Sequence, residues 1–205
     1  MAHTISSADG ASGRPSGFAS AFYNTQGRKF DTAGATEISI DFFVDSAFQS
    51  DPARIAGIWG TGFLGDGTTI SAFPILEFAG GTFQVFDTIG GDSDGTGFRT
   101  LDTAPTFNFD EFVELGIVLD TVNDVFNYFI GGLHVHTEEA GGTQTIGNVI
   151  LQNINTDTGV NRTVYWDNLQ ASSVSAVPVP AAFPLLAGAL AGFGLISWRK
   201  RRVSA

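Results

Sequence analysis

The sequence predicts an all-β antiparallel sandwich followed by a single C-terminal transmembrane helix. Short segments in which apolar and polar residues alternate predict the strands, and stretches rich in Gly, Asp and Thr separate them. The 19 Phe and 26 Gly also favour strands and tight turns over long surface helices. An uncharged apolar stretch that ends in a basic cluster predicts the helix.

The body of the chain contains six segments that read as strands. They are residues 38–44, 83–86, 113–119, 125–130, 133–136 and 163–169. Gly131 and Gly132 separate two of them and favour the positive φ angles of a two-residue hairpin turn. Segments 60–69, 89–97 and 140–147 are predicted to be loops, and no window before residue 180 has a sustained helical period. Consecutive strands of this kind predict an antiparallel sandwich.

Composition and charge exclude several classes of function. Four of the ten basic residues occupy positions 199–202, so the remaining six, set against 21 acidic residues, give residues 1–198 a net charge of −15. Such a body repels phosphates, and we therefore expect no nucleic-acid partner. The absence of cysteine excludes disulfides, thiol catalysis and thiolate metal sites.

The chain is predicted to have four parts: an extracytoplasmic β-sandwich (1–171), a linker with a proline motif (172–181), a transmembrane helix (182–198) and a basic cytoplasmic tail (199–205). The helix would be roughly 25 Å long, and flanking residues and local thinning of the bilayer absorb the mismatch. A buried helix of a soluble protein is the alternative, but it seldom ends a chain with four consecutive cations. The residues predicted to fix the topology are Trp198 at the interface and Arg199, Lys200, Arg201 and Arg202 inside.

The tail resembles a known class of sorting signals. Its proline motif consists of Val177, Pro178, Val179, Pro180 and Ala181. Followed by the apolar helix and the basic cluster, this motif resembles the PEP-CTERM class in its VPLPA-type variant, with Val179 where Leu is usual. The resemblance implies two partners, the lipid bilayer and an exosortase-type transpeptidase of a Gram-negative bacterium. It also implies a protein that is first anchored in the membrane and then found at the cell surface or outside the cell, associated with exopolysaccharide and biofilm material.

A protein exported by this route is expected to begin with a secretory leader. Residues 1–20 contain neither a basic n-region nor an apolar run. We therefore expect the true translation start to lie upstream of Met1, or the gene to be truncated.

Two segments of the body resemble a known fold family. Residues 112–136 contain a strand, an Asp-bearing turn and a Tyr-x-x-x-Gly hairpin in the order found in laminin-G/concanavalin A-like jelly rolls. Residues 165–169 resemble the closing strand of those sandwiches and of related carbohydrate-binding modules. The resemblance implies a jelly roll that binds glycan or takes part in adhesion, with structural calcium as its ion, although a fold alone does not fix a function.

Metal ligands are predicted at two places. Asp92 and Asp94 precede Gly95 in a calcium-like loop, and an ordinary Asp/Gly surface loop is the alternative. Asp167 is a calcium ligand by resemblance to closing-strand aspartates of carbohydrate-binding modules. His134 and His136 are expected on one face of a strand, where exposed histidines on a polar surface are the alternative to a shared metal.

The sequence predicts that the chain is not an enzyme. Jelly-roll glycosidases carry a Glu-x-Asp-x-x-Glu string, which is absent, and solvated surface positions explain the carboxylates that are present. Tyr23, Phe43, Trp59 and Phe98 would stack on sugar rings if exposed. We assign no ligand site to them, because aromatic residues of such a domain belong mostly to the core.

These observations together predict an exported, surface-sorted envelope protein that is processed at its C-terminal signal. Its sandwich is expected to bind extracellular glycan or matrix. Two alternatives stay open at this point: a structural biofilm component with no discrete ligand, and a glycan-active enzyme.

Overall fold

A computed structural model describes residues 1–7, 25–88, 97–155 and 160–173. These residues form strands joined by turns, with one short 3-10 helix at Ser46–Phe48. In chain order the strands are β1 (Ala2–Ile5), β2 (Thr25–Ala35), β3 (Glu37–Val44), β4 (Arg54–Phe63), β5 (Ile70–Ala72), β6 (Ile75–Ala79), β7 (Thr82–Asp87), β8 (Gly97–Thr100), β9 (Glu111–Asp120), β10 (Val125–Ile130), β11 (Leu133–Glu139), β12 (Thr145–Ile154) and β13 (Arg162–Ser172).

The strands build two antiparallel sheets. The first sheet has the order β1-β13-β3-β9-β10-β11, and the second has the order β2-β12-β4-β6-β7-β8, with β5 paired to β4. The predicted all-β antiparallel sandwich is therefore confirmed. The transmembrane helix predicted at 182–198 lies outside the described residues, and within those residues no helix has the length and apolarity of a membrane span.

The core lies between the two sheets and follows from the alternation in the sequence. Along β3, Ile38, Ile40, Phe42 and Val44 are buried, while the residues between them are partly exposed. The ring of Phe42 lies 4.9 Å from that of Trp166 on β13, measured between centroids. Burying side chains of this size supplies the main driving force for packing the sheets.

The predicted hairpin is present between β10 and β11. Gly131 and Gly132 have φ angles of +57° and +76°, which side chains rarely adopt and which match the twist of the two strands.

The prediction of a loop at 60–69 is wrong for residues 60–63, because β4 continues to Phe63. The glycines of β4 allow neighbouring strands to approach closely instead of forming a turn. A Cβ atom at Gly57 would lie 2.5 Å from Cβ of Glu77 and 2.4 Å from the carbonyl oxygen of Leu76, both on β6. Glycine in a strand interior marks such an approach as often as a bend.

Candidate functional site

A groove of about 650 Å³ runs along the outer face of the second sheet. Its lining combines aromatic, aliphatic and cationic residues: Gly27, Lys29, Arg54, Trp59, Phe73, Ile75, Phe86, Phe98, Ile150 and Gln152. These residues come from all six consecutive strands of the sheet and from the segment between β5 and β6. Since neighbouring strands lie about 4.8 Å apart, six strands span about 24 Å, so the groove suits an extended ligand.

Aromatic rings line the groove as two pairs. Trp59 and Phe73 meet edge to face with centroids 5.9 Å apart, and Phe86 and Phe98 meet with centroids 5.0 Å apart. All four side chains are half-buried. Thr88 fixes the backbone of Phe73, because its hydroxyl accepts from the Phe73 N–H at 2.9 Å and donates to the Phe73 carbonyl at 3.0 Å.

The alternation of each strand explains why these side chains face outward. On β7, Phe83 and Val85 enter the core, so Phe86 points to the opposite face. On β4 the pairing register with β6 shifts between Arg54 and Ala56. The shift brings the Arg54 side chain to the face of the sheet that Trp59 occupies.

Glu77 forms the polar floor beneath the groove. Its side chain is fully buried, and the Arg54 guanidinium donates from Nε to Oε1 at 2.6 Å and from Nη2 to Oε2 at 2.7 Å. Gln84 Nε2 donates to Oε1 at 2.6 Å, and Gln152 Nε2 donates to Oε2 at 3.0 Å. The absence of a side chain at Gly57, directly opposite on β4, leaves the room that Glu77 occupies. Such a bidentate pair holds Arg54 in one geometry.

Arg54 in turn connects the floor to the rings. Its guanidinium carbon lies 4.1 Å from the centroid of the Phe98 ring, within the range of a cation–π interaction. The polar network therefore fixes one aromatic pair of the groove.

Gln152 supplies an acceptor that the described part of the chain leaves unused. The residue is completely buried and lines the groove, and its Oε1 accepts no hydrogen bond from the residues described here, whereas its Nε2 donates to Glu77. An unsatisfied buried acceptor costs about 1–3 kcal/mol.

The groove thus offers flat apolar surfaces beside fixed polar groups. The face of an aromatic ring is electron-rich and attracts the partially positive C–H groups on the face of a pyranose ring. Amide, guanidinium and ammonium groups at Gln152, Arg54 and Lys29 are hydrogen-bonding partners for hydroxyl or carboxyl groups. A mainly apolar lining with a few polar groups is the usual composition of a small-molecule site.

Two of the aromatic residues considered from the sequence lie in this groove, namely Trp59 and Phe98. Phe43 lies instead on the outer face of the first sheet, where its ring is 5.3 Å from that of Phe112 and 5.9 Å from that of Tyr165. Tyr23 lies outside the described residues.

Of the predicted calcium and sorting residues, only Asp167 belongs to the described part of the chain, and it does not line the groove. Asp92, Asp94, the proline motif and the topology residues Trp198 to Arg202 all lie outside the described residues. Asp167 is exposed on β13 and accepts the backbone N–H of Asn168 at 2.9 Å. Within the described ranges, no three His, Asp or Glu side chains are grouped so that they could hold a metal ion.

The two histidines of β11 do not share a face. The pairing of β10 with β11 shifts between Tyr128 and Phe129, which turns His134 outward and His136 inward. His134 Nε2 lies 2.9 Å from the Thr137 hydroxyl, and His136 Nδ1 lies 2.8 Å from a carboxylate oxygen of Asp102. A metal shared by the two rings is therefore excluded by their positions.

Glu138 is also buried, which differs from the solvated position expected from the sequence. The Tyr128 hydroxyl donates to its Oε1. Burial raises the pKa of the Glu138 carboxyl to about 8, opposed by the Tyr128 hydrogen bond and assisted by the nearby charge of Asp87. Burial also raises the pKa of Tyr128 well above its ordinary value.

No known protein family matches this sequence, and no curated protein is significantly similar to it. Solved structures with a similar sandwich include a β-glucanase of Bacillus licheniformis, 13% identical over 72% of this chain and 68% of its own, with a TM-score of 0.48. A β-1,3-1,4-glucanase (lichenase) from a mouse hindgut metagenome is 12% identical over 72% and 69%, with a TM-score of 0.48. A tetrameric galectin from the sponge Cinachyrella is 13% identical over 72% and 99%, with a TM-score of 0.43.

Similarity at this level concerns the fold and does not assign a ligand. It does correct one prediction. The chain was expected not to be an enzyme; that prediction is contradicted, since the similar sandwiches include two glucanases and point to a possible glycoside hydrolase.

The sequence did not predict the polar floor or half of the aromatic lining. Glu77, Phe73 and Phe86 gave no isolated motif, since each lies in an ordinary apolar segment. One signal was available for Phe86: it follows the buried pair Phe83 and Val85 at a position that alternation assigns to the opposite face.

Proposed function

We propose that this chain binds a carbohydrate polymer along the groove of the second sheet. The observation that carries the proposal is the pair of ring contacts, Trp59 with Phe73 and Phe86 with Phe98, above a fully buried polar floor. A groove that crosses six strands and combines rings with hydrogen-bonding groups suits a chain of several sugar units better than a single sugar.

Trp59 provides the test, because it is the largest ring of the groove. We expect Trp59→Ala to weaken binding of an oligosaccharide at least about ten-fold, since both ring stacking and apolar contact area are lost. Isothermal titration calorimetry of the full-length chain measures this with three probes: laminarihexaose, cellohexaose and hexagalacturonate.

Tyr165→Ala is the matched control for that experiment. Tyr165 is an aromatic residue of the first sheet with 43% of its surface exposed, so its loss should leave affinity unchanged. Equal affinity of the wild type and Trp59→Ala would contradict the proposal. A wild type that binds none of the three probes would also contradict it.

Hydrolysis of the bound glycan is the second candidate activity. The observation that favours it is Glu77, a buried carboxylate that contacts the groove residues Arg54 and Gln152. It ranks second because glycosidases use two carboxyl groups, whereas the described groove lining contains none and Glu77 lies buried beneath it. Release of reducing ends from the same probes, lost in Glu77→Gln, would support hydrolysis.

We also propose that the protein is exported and sorted through its C-terminal tail. The support is the sequence alone: the motif Val177 to Ala181, then the uncharged stretch, then the basic cluster. In this proposal an exosortase-type transpeptidase of a Gram-negative envelope processes the tail, and the sandwich meets exopolysaccharide at the cell surface. Calcium binding by Asp92, Asp94 and Asp167 stays a prediction.

Changing both prolines of the motif tests the sorting proposal. In the double variant Pro178→Ala, Pro180→Ala we expect the unprocessed, larger form to accumulate in the membrane fraction, because the extended recognition segment is lost. Fractionation followed by mass measurement of the chain is the readout. Identical size and location for the wild type and the double variant would remove the claim.

A further inference from the structure

The charged groups around the groove are distributed unevenly. Of the five basic residues that the structure describes, three form ion pairs with carboxylates: Arg54 with Glu77, Arg99 with Asp87 and Arg162 with Asp51. The other two are Arg28 and Lys29 of β2, which have no carboxylate partner within the described ranges, and Lys29 lines the groove.

Among the residues that the structure describes, negative charge is correspondingly scarce in the groove lining. The chain has 21 acidic residues, yet no carboxylate belongs to the described lining of the groove. Glu77 lies beneath it, but both of its oxygens are engaged by Arg54 and by two glutamine amides. Asp31 follows Lys29 by two residues on β2, outside the groove lining, and accepts the backbone N–H of Ala33 at 2.8 Å.

The net charge of the whole chain, −11, opposes an anionic ligand only at long range. At physiological salt the screening length is about 8 Å, so the charges nearest the ligand dominate once it is bound. In the groove those charges are the ammonium group of Lys29 and the compensated pair of Arg54 and Glu77.

We propose that the groove prefers an anionic glycan, with Lys29 pairing with the carboxylate of a uronic acid unit. This inference rests on the proposed function and specifies its substrate class. The rings stack on the sugar faces, and Lys29 at the edge strand selects the charged unit.

Hexagalacturonate and its fully methyl-esterified form test the preference, since they share one backbone and the ester lacks the negative charges. We expect the full-length wild type to bind the free acid about five-fold more tightly at low salt, the effect of one exposed ion pair, and less so at high salt. In Lys29→Gln the ratio of the affinity for the free acid to the affinity for the ester should fall to about one. Lys29→Arg should keep the ratio of the wild type.

Arg28→Gln is the matched control, because it removes one positive charge from the adjacent residue of β2, which does not line the groove. Its ratio should equal that of the wild type. The inference would be overturned if the wild type bound the ester as tightly as the free acid. It would also be overturned if Lys29→Gln kept the affinity ratio of the wild type. Binding of laminarihexaose without binding of hexagalacturonate would overturn it while leaving the proposed function intact, and no binding of any probe would overturn both.

Discussion

Glu77→Leu is expected to lower the free energy of unfolding by about 2–4 kcal/mol, because it leaves a guanidinium and two amide donors without their acceptor. Arg54, Gln84 and Gln152 all donate to the Glu77 carboxylate, which is fully buried. The expected loss of unfolding free energy is smaller than for a completely buried ion pair, because a third of the Arg54 side chain reaches solvent. Urea unfolding of the full-length chain measures it.

Two further variants separate the lost charge pair from the lost packing. Glu77→Gln keeps the shape and one acceptor and should cost less than Glu77→Leu. The double variant Arg54→Met, Glu77→Leu replaces the pair by apolar groups of similar volume and should recover most of the stability. If Glu77→Leu unfolds at the same urea concentration as the wild type, the floor of the groove does not have the structure described here.

Glu138→Gln is expected to stabilise the protein above neutral pH, by an amount that grows with pH. In the folded state the pKa of the Glu138 carboxyl is about 8, whereas its ordinary value is 4.5. Between these two values the unfolded chain has released the proton that the folded chain keeps. The contribution of Glu138 to stability is therefore complete below pH 4.5, falls as pH rises and is lost above about 8, a change on the order of 5 kcal/mol.

Glutamine at this position stays neutral and can still accept the hydrogen bond from the Tyr128 hydroxyl. The difference in unfolding free energy between variant and wild type should therefore be small at pH 5 and largest near pH 9. Glu139→Gln, an exposed change at the next residue of β11, should give a difference that does not vary with pH. If the unfolding free energy of Glu138→Gln varied with pH in parallel with that of the wild type, the assignment of a buried, protonated Glu138 carboxyl would be contradicted.

Most of the strands that the sequence predicted alternate regularly, whereas β12, whose alternation is broken, was missed. β3, β7, β9 and β10 alternate because one face of each enters the core. β12 was missed because Gln152 and Asn153 are buried polar residues in consecutive positions. Such residues find their partners only in the folded sheet, as Gln152 does with Glu77 on β6.

The groove could not be predicted because sheet order is not a local property. Lys29 on β2 and Gln152 on β12 lie on adjacent strands, although most of the chain separates them in sequence. The burial of Glu138 was missed for a related reason. A shift in register between Tyr128 and Phe129 decides which side chains of β11 face the core, and the sequence pattern of β11 alone does not reveal it.

Binding of a glycan over Trp59 is the claim on which the functional account depends, and the indole N–H signals report on it directly. The chain contains only three tryptophans: Trp59 in the groove, Trp166 in the core and Trp198 in the tail. In nitrogen-15 tryptophan-labelled full-length protein, titration with the tightest-binding hexasaccharide should shift the Trp59 signal in step with saturation and leave the Trp166 signal in place. Saturable binding detected by calorimetry with the Trp59 signal unmoved would contradict the account.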